Sequence, residues 1–214
     1  MKPNPINRSL NAIKIIIMFL ILISLSSIYI YKFKGMASNE IFADVIISTQ
    51  KPLYIGFFSQ IGLFLWASSA TICFYASKFF EKINNKIKLS RYLLDCGFIS
   101  TIILIDDAFC LHEIVLPLKG IKEEAILSIY FLLGLLIFIK NKKQIFIKRK
   151  EIFIFCICLF SLSQLFDVLV FNPFIEYIDI EELLKLGGII SWLAYIYLIS
   201  TDYLNQEILR IKKN

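Results

Sequence analysis

The chain is a succession of apolar runs separated by short segments in which lysine and arginine gather. Each run is roughly 18 to 25 residues long, the length that crosses a ~30 Å hydrocarbon layer at 1.5 Å per residue. Composition agrees, with 58% hydrophobic residues, 19% charged residues and a mean hydropathy of +0.73. A soluble domain is nearer half apolar and a quarter charged. Six runs, at 11–33, 52–80, 91–117, 123–139, 151–171 and 182–200, predict an all-α polytopic membrane protein. The expected architecture is a six-transmembrane-helix bundle, a single integral membrane domain over residues 1–214.

The first run competes with a cleaved signal peptide, because Gly35-Met36-Ala37 is small-x-small. Its apolar stretch is longer than a typical signal core, and Lys32 and Lys34 precede the cut, so an uncleaved helix is expected. Residues 37–50 are amphipathic enough for a short helix lying on the membrane. Pro117 and Asn172-Pro173 close the third and fifth runs.

Orientation follows from the cations. The N-terminal tail, Lys78–Arg91, Lys140–Lys150 and the C-terminal tail hold 17 of the 23 Lys and Arg residues. The intervening loops hold only Lys32, Lys34, Lys51, Lys119 and Lys122. The positive-inside rule places the rich segments, and hence both termini, in the cytoplasm of a cell whose inner membrane carries the chain. The net charge of +6 is thereby explained without nucleic acid, since no stripe of cations interleaved with exposed aromatics is present. All five cysteines (Cys73, Cys96, Cys110, Cys156, Cys158) fall inside apolar runs and read as small fillers. Trp66 and Trp192 read as packing or interfacial anchors.

Charges inside a span are costly, so each needs a reason. The third run carries Asp106-Asp107 and His112-Glu113, the fifth Gln164 and Asp167, and the sixth opens on Glu181-Glu182 with Lys185. From helix rise alone, Asp106, Asp167 and Lys185 all lie about 22–24 Å from the inner face. His112, Glu113, Glu181 and Glu182 fall a turn or two further out. Such agreement in depth predicts one convergent site in the membrane's outer half. Lys185 occupies the first turn of its helix, where the dipole opposes a cation, so a carboxylate partner is expected. On an ideal helix Asp106, Cys110 and Glu113 share a face, with Asp107 and His112 to either side.

So many carboxylates cannot all remain ionised away from water without a proton or a cation. The metal-ligand set drawn from these types is Asp106, Asp107, His112, Glu113, Asp167 and Glu182, with Lys185, Glu181 and Gln164 in support. One histidine excludes a Cys/His structural zinc site and a two-His-one-carboxylate iron site. Calcium, magnesium or manganese suit the oxygen ligands, and zinc through His112 plus carboxylates stays open as the divalent cation. An interhelical clamp and charges simply exposed at the outer surface are the competing readings. Serine hydrolysis has no GxSxG or SxxK pattern to support it, and the Walker A, GxGxxG and HExxH motifs are absent.

The block Asp106-Asp107-x-Phe109-x-x-His112-Glu113, followed by Glu181-Glu182-x-x-Lys185-x-x-Gly188 and Trp192, resembles a pattern in uncharacterised multi-pass bacterial membrane proteins. The resemblance implies a helical membrane fold and no particular activity. Membrane hydrolases of the alkaline ceramidase kind are expected to use several histidines, which a chain with one does not offer. Three function classes follow: a metal-assisted membrane enzyme, an assembly protein, and a proton- or cation-coupled transporter. The bilayer is the expected partner, with a second copy or another membrane protein as further neighbours. Inner halves poor in polar groups beyond Asp95 and Ser68–Ser69 count against transport.

Overall fold

The computed structural model describes residues 57–83, 86–147, 149–169 and 180–213, with Leu25, Tyr29, Lys32 and Phe33. Within helices the side chains of 124, 146–147, 167–169, 180, 182 and 213 are not described. The chain divides into two compact units, Met1–Ile55 and Gly56–Asn214. In the first unit the four described residues are helical, and the Tyr29 and Phe33 rings lie 4.6 Å apart. The rest of the expected first span and the surface helix at 37–50 lie outside the described residues.

All regular structure of the second unit is helical among its described residues. Its helices are α1 (Phe57–Glu81), α2 (Ile87–Phe109), α3 (Glu123–Ile147), α4 (Lys150–Leu169) and α5 (Ile180–Lys213). Between α2 and α3 lie a π-helical turn, Leu111–Val115, and a 3₁₀ turn, Pro117–Lys119. Among the described residues three helices are long and apolar enough to cross a membrane, within Phe57–Glu81, Ala125–Ile145 and Leu183–Lys212. Three of the expected spans have shifted bounds. The third begins at Ile87 and its α-helix ends at Phe109, short of Pro117. The fourth helix does not stop at Ile139 but carries Lys140, Lys142 and Lys143 on its last turns. The sixth does not stop at Ser200 but continues to Lys213, so residues read as a C-terminal tail are helical.

α1 packs on α2 and α5, and α4 packs on α5. Glycines set two of these crossings. A Cβ on Gly97 of α2 would stand 2.8 Å from the Phe74 ring of α1, and one on Gly188 of α5 2.8 Å from the Phe160 ring of α4. Each missing side chain is the space that an aromatic edge fills, the close-approach role small residues play between membrane helices. Ser77 and Ser90 tie α1 to α2 further, each hydroxyl donating to the other residue's carbonyl at 2.8 and 2.9 Å.

The core gathers Trp66, Phe80, Tyr92, Leu93, Trp192 and Tyr195 with Cys73, Cys96 and Cys156. Cys156 also donates to the Gly188 carbonyl at 3.4 Å. Cys110 is half-buried and Cys158 exposed, so the filler role fits three of the five. The ends of the helices remote from Asp106 are more polar than the sequence suggested. The fully buried hydroxyls of Tyr92 and Tyr195 meet at 2.8 Å. Asp95 accepts from Lys140 at 2.8 Å and from Asn141 at 3.1 Å. Lys86 pairs with Glu207 at 3.6 Å and sits 4.5 Å over the Tyr203 ring, while Arg149 pairs with Asp202 at 2.8 Å. Single-residue inspection missed them because every partner lies on another helix or beyond the expected end of the sixth.

Candidate functional site: a broken helix folded onto its own aspartate

α2 ends one turn after Asp106. Cys110 takes a left-handed conformation, φ 47° and ψ 47°, and its N–H closes on the Asp106 carbonyl. For a residue with a side chain this costs about 1–2 kcal/mol, because Cβ crowds the following carbonyl. The chain then winds into the π turn, where Val115 donates to Cys110 and Leu116 to Leu111. Pro117 completes the stop from within the 3₁₀ turn.

The break reverses a prediction made from ideal geometry. Asp106, Cys110 and Glu113 do not share a face, because helical register is lost at Cys110. His112, expected a turn or more further out, is turned back on Asp106. Its backbone N–H donates to Asp106 Oδ1 at 3.0 Å. Its ring Nδ1 is hydrogen-bonded to Asp106 Oδ2. The Tyr130 hydroxyl, from α3, donates to Oδ1 at 2.8 Å. Asp106 is only 2% exposed, and these three donors supply what water cannot.

His112 is 9% exposed and uses both ring nitrogens. With Nδ1 on Asp106, Nε2 points to the Glu113 carboxylate at 3.5 Å. The Glu113 side chain is 48% exposed, so the imidazole stands between an inner carboxylate and an outer one.

Asp107 faces other helices. Its Oδ2 accepts from the Trp66 indole of α1 at 3.1 Å, and its Oδ1 lies 3.7 Å from Lys185 Nζ of α5. Lys185 thus lies beside a carboxylate, as expected, that of Asp107. Ligand atoms of Asp106, Asp107 and His112 lie within 4.8 Å of one another, a spacing that a metal ion can bridge.

The remaining site residues are less central. Glu181 offers its carbonyl to the Ser163 hydroxyl at 3.1 Å, which ties α4 to α5. Gln164 is exposed. The side chains of Asp167 and Glu182 lie outside the described residues, so the expected approach of Asp167 to Asp106 is not among the contacts seen.

Three participants were missed. Trp66 and Trp192 are more than packing, since both are buried and donate, to Asp107 and to Ser100 at 2.9 Å. Tyr130 had a readable signal, as it lies about 10 Å inside the fourth run from its outer end, a hydroxyl among aliphatics. An indole carries no such mark, because tryptophan serves equally as an apolar filler.

Fold and site define a class: a helical protein with membrane-length apolar helices around a buried carboxylate–imidazole pair. The chain belongs to the family described as Domain of unknown function (DUF8692), whose model matches residues 14–199. No curated protein and no solved structure matches the chain.

Proposed function

We propose that the chain is a multi-pass inner-membrane protein whose outer-half polar site takes up and releases a proton through His112. The observation that carries this reading is the imidazole bridging two carboxylates of opposite exposure, Glu113 outside and Asp106 inside. A proton arriving at Glu113 from the aqueous side passes to Nε2 of His112. The Nδ1 proton moves to Asp106 Oδ2, and the reverse transfers, Oδ2 to Nδ1 and Nε2 to Glu113, release a proton to the same aqueous side. Imidazole suits the task because it donates and accepts on opposite edges near neutral pH. Tyr130 and the His112 N–H hold Asp106 in place while its charge changes. Topologically, six spans with both termini in the cytoplasm remain the reading that the cation distribution supports.

A divalent cation is the second reading, favoured by the spacing of the Asp106, Asp107 and His112 ligand atoms. Calcium, magnesium or manganese would take the carboxylate oxygens, and zinc would add the His112 nitrogen. Two contacts weigh against it. Lys185 already lies beside Asp107, and the Asp106 oxygens already accept protein donors. The same contacts would equally serve a clamp joining α1, α2, α3 and α5.

A melting series and nitrogen NMR of the single histidine, on the purified chain in neutral detergent, separate the three. For the proton site, no ion shifts the wild-type midpoint, and Glu113→Gln slows exchange of the His112 ring protons with water. For a metal site, one of calcium, magnesium, manganese or zinc raises the wild-type midpoint after EDTA treatment, and Asp106→Asn abolishes the rise. A clamp shows neither effect, and Asp106→Asn then costs about 3–5 kcal/mol at every ion condition. Ring-proton exchange equal in wild type and Glu113→Gln contradicts the proton reading.

A further inference from the structure

The ends of α2 and α3 remote from Asp106 flank an open pocket of about 290 Å³. Lys88 and Arg91 line it from the first turns of α2, and Lys140, Lys142 and Lys143 from the last turns of α3. Lys140 is matched, because both oxygens of Asp95 accept from it, at 3.1 and 2.8 Å. Asn141 donates to the same carboxylate and so fixes this wall of the cavity. Lys88, Arg91, Lys142 and Lys143 are exposed and make no ion pair with any described residue. Four uncompensated cations around one concavity repel each other unless an anion enters.

The surroundings select the kind of anion. Leu132, Leu136, Ile139 and Lys143 follow at i+4, i+3 and i+4, so they form one stripe along α3. The three apolar members are 54%, 62% and 56% exposed, and Ile139 itself lines the cavity. A basic cup with an apolar stripe running from its rim matches a molecule that is phosphate at one end and hydrocarbon at the other. Basic pockets between helices at the cytoplasmic face are suited to anionic headgroups. We propose that this cavity binds the phosphate headgroup of an anionic phospholipid, with an acyl chain lying along the Leu132–Leu136–Ile139 stripe.

The site is independent of the Asp106–His112 pair but rests on the membrane reading. Resistance of the chain to carbonate extraction from membranes tests that reading separately, so a chain that stays in the membrane yet ignores anionic lipid refutes only this inference. The direct test is a titration of the full chain in neutral detergent with phosphatidylglycerol, phosphatidylcholine or inorganic phosphate, followed by intrinsic tryptophan fluorescence or native mass spectrometry. Phosphatidylglycerol binds and phosphatidylcholine does not. The double variant Lys142→Gln/Lys143→Gln weakens phosphatidylglycerol by about 25-fold, at roughly fivefold per cation. Lys142→Arg/Lys143→Arg restores binding, which excludes a folding defect as the cause. Lys119→Gln/Lys122→Gln, at the opposite ends of these helices, leaves affinity unchanged. Equal binding of both lipids overturns the proposal, as does equal loss in the two Gln pairs. Inorganic phosphate binding as tightly as phosphatidylglycerol overturns the lipid assignment in favour of a soluble phosphate compound.

Discussion

Cys110 is the residue on which the site turns, because its left-handed backbone swings His112 onto Asp106. Glycine adopts that conformation without penalty, whereas a β-branched side chain clashes. Cys110→Gly is therefore expected to keep the site intact and to change stability by no more than about 1 kcal/mol. Cys110→Val is expected to cost at least about 2 kcal/mol and to separate His112 from Asp106. Chemical denaturation in detergent checks the stabilities. Equal stability of the Gly and Val variants would show that the break is set elsewhere, by Pro117 for instance. The sequence named Asp106, Asp107, His112 and Glu113 as a cluster, since charge in an apolar run is conspicuous. It did not show how they meet, because the estimate of facing assumed an uninterrupted 3.6-residue period. One cysteine, a residue with no preference for the left-handed region, removed that period.

At the scale of elements, the helices were legible from the apolar runs and their junctions were not. α3 and α5 overrun their expected ends because Lys140, Lys142, Lys143, Arg210 and Lys212 are good helix formers. Hydropathy falls at those residues, yet hydrogen bonding continues. The glycine crossings lie between these extremes, with Gly187–Gly188 visible as a pair and Gly97 visible only in place. Gly188→Ala and Gly97→Ala each force an aromatic ring to shift, which typically costs about 1–3 kcal/mol. Gly134→Ala is the control, since a Cβ there would meet only Ile99 at 3.9 Å. Thermal melts of the three variants check this, and a Gly188→Ala midpoint equal to that of Gly134→Ala would contradict the packing role.

For the whole molecule, the account requires basic helix ends on one side and the Asp106 site on the other. Lys88, Lys140, Arg149 and Arg210 belong to the ends carrying the Asp95 and Asp202 ion pairs. Lys119 and Lys122 flank the site. Reporter fusions after Lys88, Lys148 and Lys213 are expected to read cytoplasmic, and those at Asp44, Lys119 and Asp179 external. A cytoplasmic signal at Asp179 would break the six-span orientation, because only Lys148 and Arg149 separate α3 from α4.

The central claim is that His112 holds a proton between Glu113 and Asp106, and the chain contains a single histidine. Selective ¹⁵N-histidine labelling therefore gives nitrogen NMR signals from this one imidazole alone. A protonated Nδ1 hydrogen-bonded to Asp106 is expected, a signature lost in Asp106→Asn. In Glu113→Gln that signature persists, while exchange of the ring protons with water slows. A ring carrying its proton only on Nε2, with an Nδ1 signal indifferent to Asp106→Asn, would contradict the account.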